Sequence, residues 1–242
     1  MSQIKKNIFK YPLHKDAFTK SDIEEGIKIL KSGQLTMSKK TLEFENYFGK
    51  KIGAKYCLMV NSGSSANLLA LFCATNPAKK NFLKRNVECL VPSVCWSTTL
   101  WPVIQAGLKP KMVDVNIDNF CMDLDIIKKN ITNKTKAIIL VNVLGNCSEI
   151  DKIRKFTNKK KIVLIEDNCE SLGSRYKNKY LGTYGDFGSF SFYFSHQITA
   201  GEGGMIVCKS KEDYNILKSL RAHGWDRDIN KKNSKKFNFI NQ

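Results

Sequence analysis

The segment NSGSSAN at residues 61–67 places hydroxyl-bearing residues between an apolar run and a helical pattern. In the first turn of a helix, free backbone N–H groups and the hydroxyls of Ser64 and Ser65 would face one point at the positive end of the helix dipole. Such a point binds anions, most simply a phosphate. A glycine- and serine-containing turn is just as often purely structural, so both interpretations stay open for this segment alone.

Two carboxylates, Glu166 and Asp167, end the apolar run KIVLIED at residues 161–167. The carboxyl ends of strands are where α/β proteins place their ligands. A carboxylate there can keep a pyridine nitrogen protonated, which makes the ring an electron sink. An acid that caps a neighbouring helix is an equally good interpretation.

The segment SFSFYFSH at residues 189–196 alternates small polar and aromatic residues before it reaches His196. A strand with this alternation presents Ser189 and Ser191 on one face. An aromatic core strand ended by a histidine without a chemical role is the more common case. Trp96 follows another apolar run, where its ring could stack on a planar ligand or belong to the core.

Alternating strand-like and helical segments must position these residues, and they predict an α/β layered domain with a parallel sheet buried on both faces. A first helix is predicted to begin at an N-cap on Ser21, with Glu24 three residues later, and to end at Gly33. Strands are predicted at 56–60, 87–91, 111–115, 136–143 and 161–167, with two more in 185–196 and 202–208. Helices are predicted near 64–75, 95–106, 123–130, 148–157 and 211–221.

The composition is that of a globular protein, with 42% hydrophobic and 26% charged residues in 242. We expect a soluble, cytoplasmic protein without a membrane partner, since no apolar run approaches the roughly 18 residues of a membrane span. The net charge of +18 could attract nucleic acid. The lysines are scattered, however, and no nucleic-acid module is recognisable, so no such partner is expected. Eight cysteines without a Cys-x-x-Cys pair predict buried thiols rather than a metal site.

Taken together and in this order, the segments resemble the DegT/StrS family of nucleotide-sugar aminotransferases, and the resemblance covers essentially the whole chain. It implies the large domain of fold type I pyridoxal-phosphate enzymes, a three-layer α/β sandwich with a mostly parallel sheet. It further implies an N-terminal arm and first helix at 1–35 and a large cofactor-binding domain at 36–242. The family's C-terminal small domain is expected to lie beyond the last residue of this sequence.

The resemblance also assigns roles in binding pyridoxal 5'-phosphate or pyridoxamine 5'-phosphate. In relatives, the positions that correspond to Ser64, Ser65 and Ser191 contact the cofactor phosphate. The position of Trp96 contacts the ring face, that of Asp167 the ring nitrogen, and that of Glu170 the phenolic oxygen. Five residues after Ser191, relatives carry the lysine that binds the cofactor covalently, and this sequence has His196 there. Gln197 replaces a second histidine that is common in the relatives with His at this position.

Histidine cannot form an imine, but it is a competent base with an ordinary pKa near 6.5. The substitution therefore resembles the family's 3-dehydratases, which remove the C3 hydroxyl of 4-keto-6-deoxy nucleotide sugars in deoxysugar and lipopolysaccharide synthesis. One such branch carries an iron–sulfur cluster on cysteines after the histidine. Only Cys208 follows His196 here, so the cluster-free branch, which acts on GDP-linked sugars, fits better.

Family properties further imply a homodimer in which the partner chain contributes a residue that binds the cofactor phosphate. They also imply an amino donor such as glutamate. Two other functions stay open. The chain could be an aminotransferase that tolerates histidine, or an inactive cofactor-binding fragment or regulatory subunit.

Overall fold

The computed structural model describes residues 17–36 and 38–225. These residues form two compact units that divide after Ser38. The polar terminal stretch noted in the sequence lies outside the described residues.

The first unit contains helix α1 (Lys20–Ser32), and its start differs from the prediction. The N-cap is Thr19 rather than Ser21. The Thr19 hydroxyl accepts the Asp22 N–H at 3.2 Å, and the Asp22 carboxylate accepts the Thr19 N–H at 2.8 Å. This reciprocal capping box satisfies two otherwise unpaired donors, so the helix begins two residues earlier. Gly33 ends it at φ 69°, as predicted.

The second unit contains the other helices and all described strands. The helices are α2 (Lys39–Ile52), α3 (Gly63–Ala74), α4 (Ser97–Gln105), α5 (Leu124–Asn130), α6 (Ile150–Lys160) and α7 (Lys211–Arg221). The strands are β1 (Tyr56–Val60), β2 (Glu88–Pro92), β3 (Lys109–Val113), β4 (Thr135–Val141), β5 (Val163–Asp167), β6 (Arg175–Tyr176), β7 (Lys179–Tyr180), β8 (Phe187–Ser191) and β9 (Gly204–Cys208).

Within the described residues, seven strands form one sheet in the order β1-β9-β8-β5-β4-β2-β3. The neighbours β2/β3, β2/β4, β4/β5 and β5/β8 are parallel, and only β9 runs antiparallel to its neighbours β1 and β8. Parallel neighbours need crossover connections, and α4, α5 and α6 lie within them. The predicted α/β fold with a mostly parallel sheet is confirmed.

Alternate residues of the central strands pack on opposite faces of the sheet, which produces three layers. In β4, Ile139 packs with α3, α4 and α7, whereas Ile138 packs with α5 and α6. Helix α2 covers the end of the second face, where Phe48 packs against Phe190 and Phe192. Both faces of the central strands are therefore buried, which explains their nearly continuous apolar sequence.

Three local expectations were wrong or incomplete. Helix α2 and the small β6–β7 hairpin were not predicted. Strand β3 lies at the sheet edge and is largely exposed, so it is not buried on both faces. The alternating pattern up to His196 does not continue as a strand, because β8 ends at Ser191 and a turn follows in which the His196 N–H donates to the Tyr193 carbonyl at 3.0 Å.

Candidate functional site

The carboxyl edge of the central strands brings several of the predicted residues together. Asp167 is the last residue of β5, and its register partner Ser189 lies on β8, two residues before Ser191. Helix α3 begins against the same edge. A Cβ added to Gly63 would lie 2.7 Å from the Ser191 Cβ, so only glycine permits this approach. The first turn of α3 and the ends of β5 and β8 therefore meet.

Asp167 lies at the centre of a buried hydrogen-bond network and is only 5% exposed. Its Oδ2 accepts the Asn67 side-chain amide at 2.7 Å and the Thr99 hydroxyl at 2.8 Å. Its Oδ1 accepts the Cys169 N–H at 3.2 Å. The Oδ2 partners are side chains of α3 and α4 rather than helix-end amides, so the helix-capping interpretation does not describe this carboxylate.

Asn67 is itself oriented by Ser189, whose hydroxyl donates to the Asn67 Oδ1 at 2.6 Å. A flipped amide would place its oxygen against the Asp167 carboxylate, so the group must present its N–H to Asp167. A chain of side chains from Ser189 through Asn67 to Asp167 fixes the carboxylate at the strand end. Sequence reasoning did not identify Asn67 or Thr99 as site residues. Their only sequence signal was their position in the first two turns of helices that follow strands.

The start of α3 has the hydroxyl and backbone groups that an anion site requires. Ser62 caps the helix by accepting the Ser65 N–H at 3.1 Å, and its hydroxyl lies 3.1 Å from the Ser65 hydroxyl. Ser64 and Ser65 are half-buried in the first turn. Gly204 allows β9 to pass close beneath, since a Cβ there would lie 2.3 Å from the Ser62 carbonyl carbon. The result is a narrow cradle of backbone and hydroxyl groups at the positive helix end.

Ser191, at the end of β8, borders this cradle through its contact with Gly63. The residue is buried, and its hydroxyl oxygen accepts the Tyr193 N–H at 3.2 Å. Its hydroxyl proton is therefore available to an acceptor in the cradle. Helix α3 and strand β8 thus place the three predicted hydroxyl residues around one region of the site.

Trp96 is the N-cap residue of α4 and leaves 73% of its surface exposed. It is not a core residue, which was the alternative left open by the sequence. The Thr99 N–H donates to the Trp96 carbonyl at 2.9 Å, and Thr99 in turn contacts Asp167. Trp96 therefore lies one helical turn before Thr99, the residue that contacts the central carboxylate.

Glu170 connects two loops that border the site. One oxygen of its carboxylate accepts the Leu144 N–H at 3.2 Å, in the 3₁₀ turn after β4. Its backbone carbonyl accepts the Gln197 side-chain amide at 2.7 Å. Gln197 directly follows His196, so this bond anchors the histidine loop to the segment after Asp167.

His196 lies in the loop that follows β8 and is half-buried. Its ring packs edge-on to the Tyr193 ring at a centroid distance of 6.0 Å. The Ala200 N–H donates to the Phe192 carbonyl at 2.9 Å and closes the loop on both sides of the histidine. The loop is thus ordered by the turn at Tyr193, by this closure and by the bond from Gln197.

Glu166 has a structural role although it is adjacent to Asp167. It is fully buried, and its carboxylate accepts backbone N–H groups of Gly182, Tyr184 and Gly185 at 2.5–2.7 Å. Burial raises the pKa of Glu166, and these three hydrogen bonds oppose the effect. The residue points away from the site and holds the 182–185 loop against the sheet.

The donor set fits a pyridoxal-type cofactor. Hydroxyls and free amides at a helix N-terminus suit its phosphate, an exposed indole suits its ring face, and a fixed carboxylate suits a protonated ring nitrogen. Among the described residues, no group of three or more His, Cys, Asp or Glu side chains could hold a metal ion. The cysteines are all free, and five of them are buried: Cys57, Cys73, Cys89, Cys121 and Cys208.

Comparison with known proteins agrees with this geometry. The profile of the DegT/DnrJ/EryC1/StrS aminotransferase family matches residues 16–239. The GDP-4-keto-6-deoxy-D-mannose 3-dehydratase of Escherichia coli O55:H7 is 43% identical over 223 residues, which are 92% of this chain and 57% of that protein.

Solved structures show the same likeness. The E. coli 3-dehydratase with bound hydrated PLP superposes with a TM-score of 0.87 at 42% identity, over 91% of this chain and 57% of that one. A 3-dehydratase structure with a trapped PLP-glutamate geminal diamine gives the same values. The chain therefore spans a little over half the length of the relatives it matches.

Proposed function

Because this chain belongs to the DegT/DnrJ/EryC1/StrS aminotransferase family, we propose that it is the cofactor-binding part of a sugar 3-dehydratase. The substrate is a GDP-linked 4-keto-6-deoxy sugar, and the pathway is lipopolysaccharide synthesis. One observation carries the proposal: His196 stands five residues after Ser191, where the family's aminotransferases have a lysine. None of the described helices is long and apolar enough to span a bilayer. The free cysteines suit a reducing compartment, the cytoplasm.

The cofactor is held by the residues of the cradle and its surroundings. Ser64, Ser65 and Ser191 bind the phosphate at the start of α3, and Trp96 covers the ring. Asp167, fixed by Asn67 and Thr99, holds the proton on the ring nitrogen. Glu170 borders the phenolic side of the ring. When bound, pyridoxamine phosphate would supply a primary amine for the sugar C4 carbon and a cationic ring that takes up the electron pair left by removal of the C4′ proton and returns it to expel the C3 oxygen.

His196 acts as the base in this proposal. An imidazole has no primary amine, so the cofactor is bound without a covalent link and its own amine stays free. The histidine would take a proton from the cofactor C4′ carbon, since imidazole is the side chain that most often acts as a general base. The bond from Gln197 to Glu170 positions the loop that carries it.

Product analysis tests this function against its rivals. Incubation with pyridoxamine phosphate, glutamate and GDP-4-keto-6-deoxymannose should give a sugar that has lost its C3 oxygen. A product that keeps this oxygen and gains nitrogen at C4 would show an aminotransferase. Tight cofactor binding without any turnover would favour a regulatory subunit. A parallel experiment on the E. coli relative, of which this chain covers 57%, checks that the assay detects the dehydration.

We also propose that the chain forms a homodimer, with glutamate as amino donor. Large apolar side chains are exposed on α4, which carries Thr99, and in the loop that carries His196: Trp101 at 55%, Ile104 at 46% and Ile198 at 55%. Exposed apolar patches beside a site are typical of subunit interfaces. Sedimentation equilibrium should give twice the chain mass, and a monomer at all concentrations would contradict the dimer.

A further inference from the structure

A second cavity lies at the opposite edge of the sheet from the candidate cofactor site. Its volume is about 230 Å³, and it is bordered by the first residues of β8 and the last residues of β9. Phe187 pairs with Cys208 at this edge, whereas Ser191 pairs with Gly204 at the other. Five residues of extended strand separate the two edges by about 13 Å. The cavity is therefore distinct from the cofactor site.

Three lysines line this cavity: Lys55 before β1, Lys179 in β7 and Lys209 after β9. In the described part of the chain, none of their ammonium groups forms an ion pair with a carboxylate, although nine ion pairs occur elsewhere. Lys209 donates to the Tyr184 carbonyl. Lys179 lies over the Tyr184 ring at 4.4 Å from its centroid. Lys55 lies over the Tyr56 ring at 5.4 Å from its centroid. These partners are neutral, so all three lysines bring positive charge to the cavity without an ion-pair partner.

Asp186 is the one carboxylate in the cavity wall, and its oxygens already accept hydrogen bonds from other groups. Asp186 accepts two hydrogen bonds from the Arg154 guanidinium, at 2.7 and 2.9 Å, and a third from the Leu164 N–H at 2.9 Å. Glu166, beneath the wall, is satisfied by the amides of the 182–185 loop. Neither acid forms an ion pair with the lysines, although the charges of both offset part of the Lys209 charge. The three lysines and Arg154 outnumber the two acids, so the cavity keeps a positive field.

Glycine backbone forms part of the cavity walls. A Cβ on Gly188 would lie 2.1 Å from the Gly182 carbonyl oxygen, and one on Gly185 would lie 2.7 Å from the Leu164 carbonyl oxygen. Glycine is therefore required at both positions for the backbone segments of this wall to pack so closely. A volume near 230 Å³ is below the roughly 300 Å³ at which sites for drug-sized molecules begin, so the space suits a compact anion.

We infer that the cavity lined by Lys55, Lys179 and Lys209 binds a phosphate-bearing anion, either inorganic phosphate or the diphosphate of a nucleotide. Partial burial, with the charges of Arg154 and Lys179, lowers the pKa of Lys209 to about 8, while Asp186 and Glu166 act in the opposite direction. A bound anion adds the missing counter-charge and raises this pKa again. Affinity should therefore fall as the pH rises through 8.

NMR of lysine side chains labelled at Cε tests the inference directly, because each pKa is read at its own residue. The inorganic phosphate titration is run with and without pyridoxamine phosphate, and the Lys209 signal reports on this cavity in both cases. Phosphate should raise the Lys209 pKa. Lys209→Met should weaken phosphate binding about tenfold, the loss expected for one charge-assisted hydrogen bond, whereas Lys209→Arg should retain it.

The control variant is Lys80→Met, which removes the same charge from an exposed position outside the cavity. It should leave phosphate binding unchanged. Guanosine diphosphate is titrated in parallel: binding of both ligands assigns the site to a phosphate group alone, and binding of the nucleotide only assigns it to a nucleoside diphosphate. A Lys209 pKa that moves with neither ligand would overturn the inference, as would equal losses in Lys80→Met and Lys209→Met.

Discussion

The side-chain amide of Asn67 donates to the Oδ2 of Asp167 at 2.7 Å and connects helix α3 to the end of strand β5. The two residues are 100 positions apart in the chain. This contact orients the carboxylate that we assign to the cofactor ring nitrogen, and it couples the phosphate end of the site to the ring end.

Asn67→Ala should weaken cofactor binding and lower the free energy of unfolding by about 1–3 kcal/mol, since Asp167 loses a buried donor and Ser189 an acceptor. Thr99→Val removes the other donor to the same oxygen without changing side-chain volume much. The two losses should not be additive, because both act through one carboxylate. Denaturant melts and cofactor titrations of the single and double variants measure the coupling. Additive losses would show that the two residues act independently.

Asp167→Asn should abolish turnover while keeping most of the fold, because an amide cannot hold the ring nitrogen protonated. Asp167→Ala should also lose activity, and in addition it should cost about 1–3 kcal/mol because Asn67 and Thr99 are left with unpaired donors. Melting temperature and turnover are measured on the same samples. If the Asp167→Asn protein were active but less stable, Asp167 would have a structural role only.

His196→Lys should let the protein capture added pyridoxal phosphate covalently, since it places a primary amine where relatives have theirs. A visible absorption band should form, and borohydride should make the link permanent. Deoxygenation should fall, because the amine competes with the free pyridoxamine form. The control is His223→Lys, at an exposed position after α7. Equal trapping by both variants, or none by His196→Lys, would place His196 away from the cofactor.

Arg154→Met should destabilise the fold by about 1–3 kcal/mol, because the partly buried Asp186 loses a bidentate partner. Burial acts to raise the pKa of Asp186, but hydrogen bonds from Arg154 and the Leu164 N–H, with the Arg154 charge, hold it below its usual 3.8. A lowered carboxyl pKa stabilises the fold above the unfolded value, and the gain is lost as the pH falls through the folded value.

The stability difference between the parent and Arg154→Met should therefore persist above pH 3.8 and shrink below it. Urea unfolding at several pH values measures this difference. Lys128→Met is the matched control, since it breaks an exposed pair with Asp125 and should cost less than about 1 kcal/mol. A difference that does not change on acidification would mean that Asp186 contributes through packing rather than charge.

The sequence alone indicated the parallel sheet, the positions of most strands and helices, and the order of the chemical segments. Those features depend on local hydrophobic periodicity and on caps such as Gly33, which act over a few residues. The position of the first N-cap was not determined by the sequence pattern. The prediction placed it at Ser21, whereas the structure places it at Thr19, where the Asp22 carboxylate completes the capping box.

The tertiary structure decided which side chains surround Asp167 and which acid faces away. Glu166 and Asp167 are neighbours in sequence, yet alternation along β5 directs one to the 182–185 loop and the other to the site. Asn67 and Thr99 reach Asp167 only because α3 and α4 both begin at the sheet edge where β5 ends. Such contacts depend on strand order and helix packing, which no local pattern encodes. His196, by contrast, was singled out in the sequence by the family resemblance, because it stands five residues after Ser191, where relatives carry a lysine.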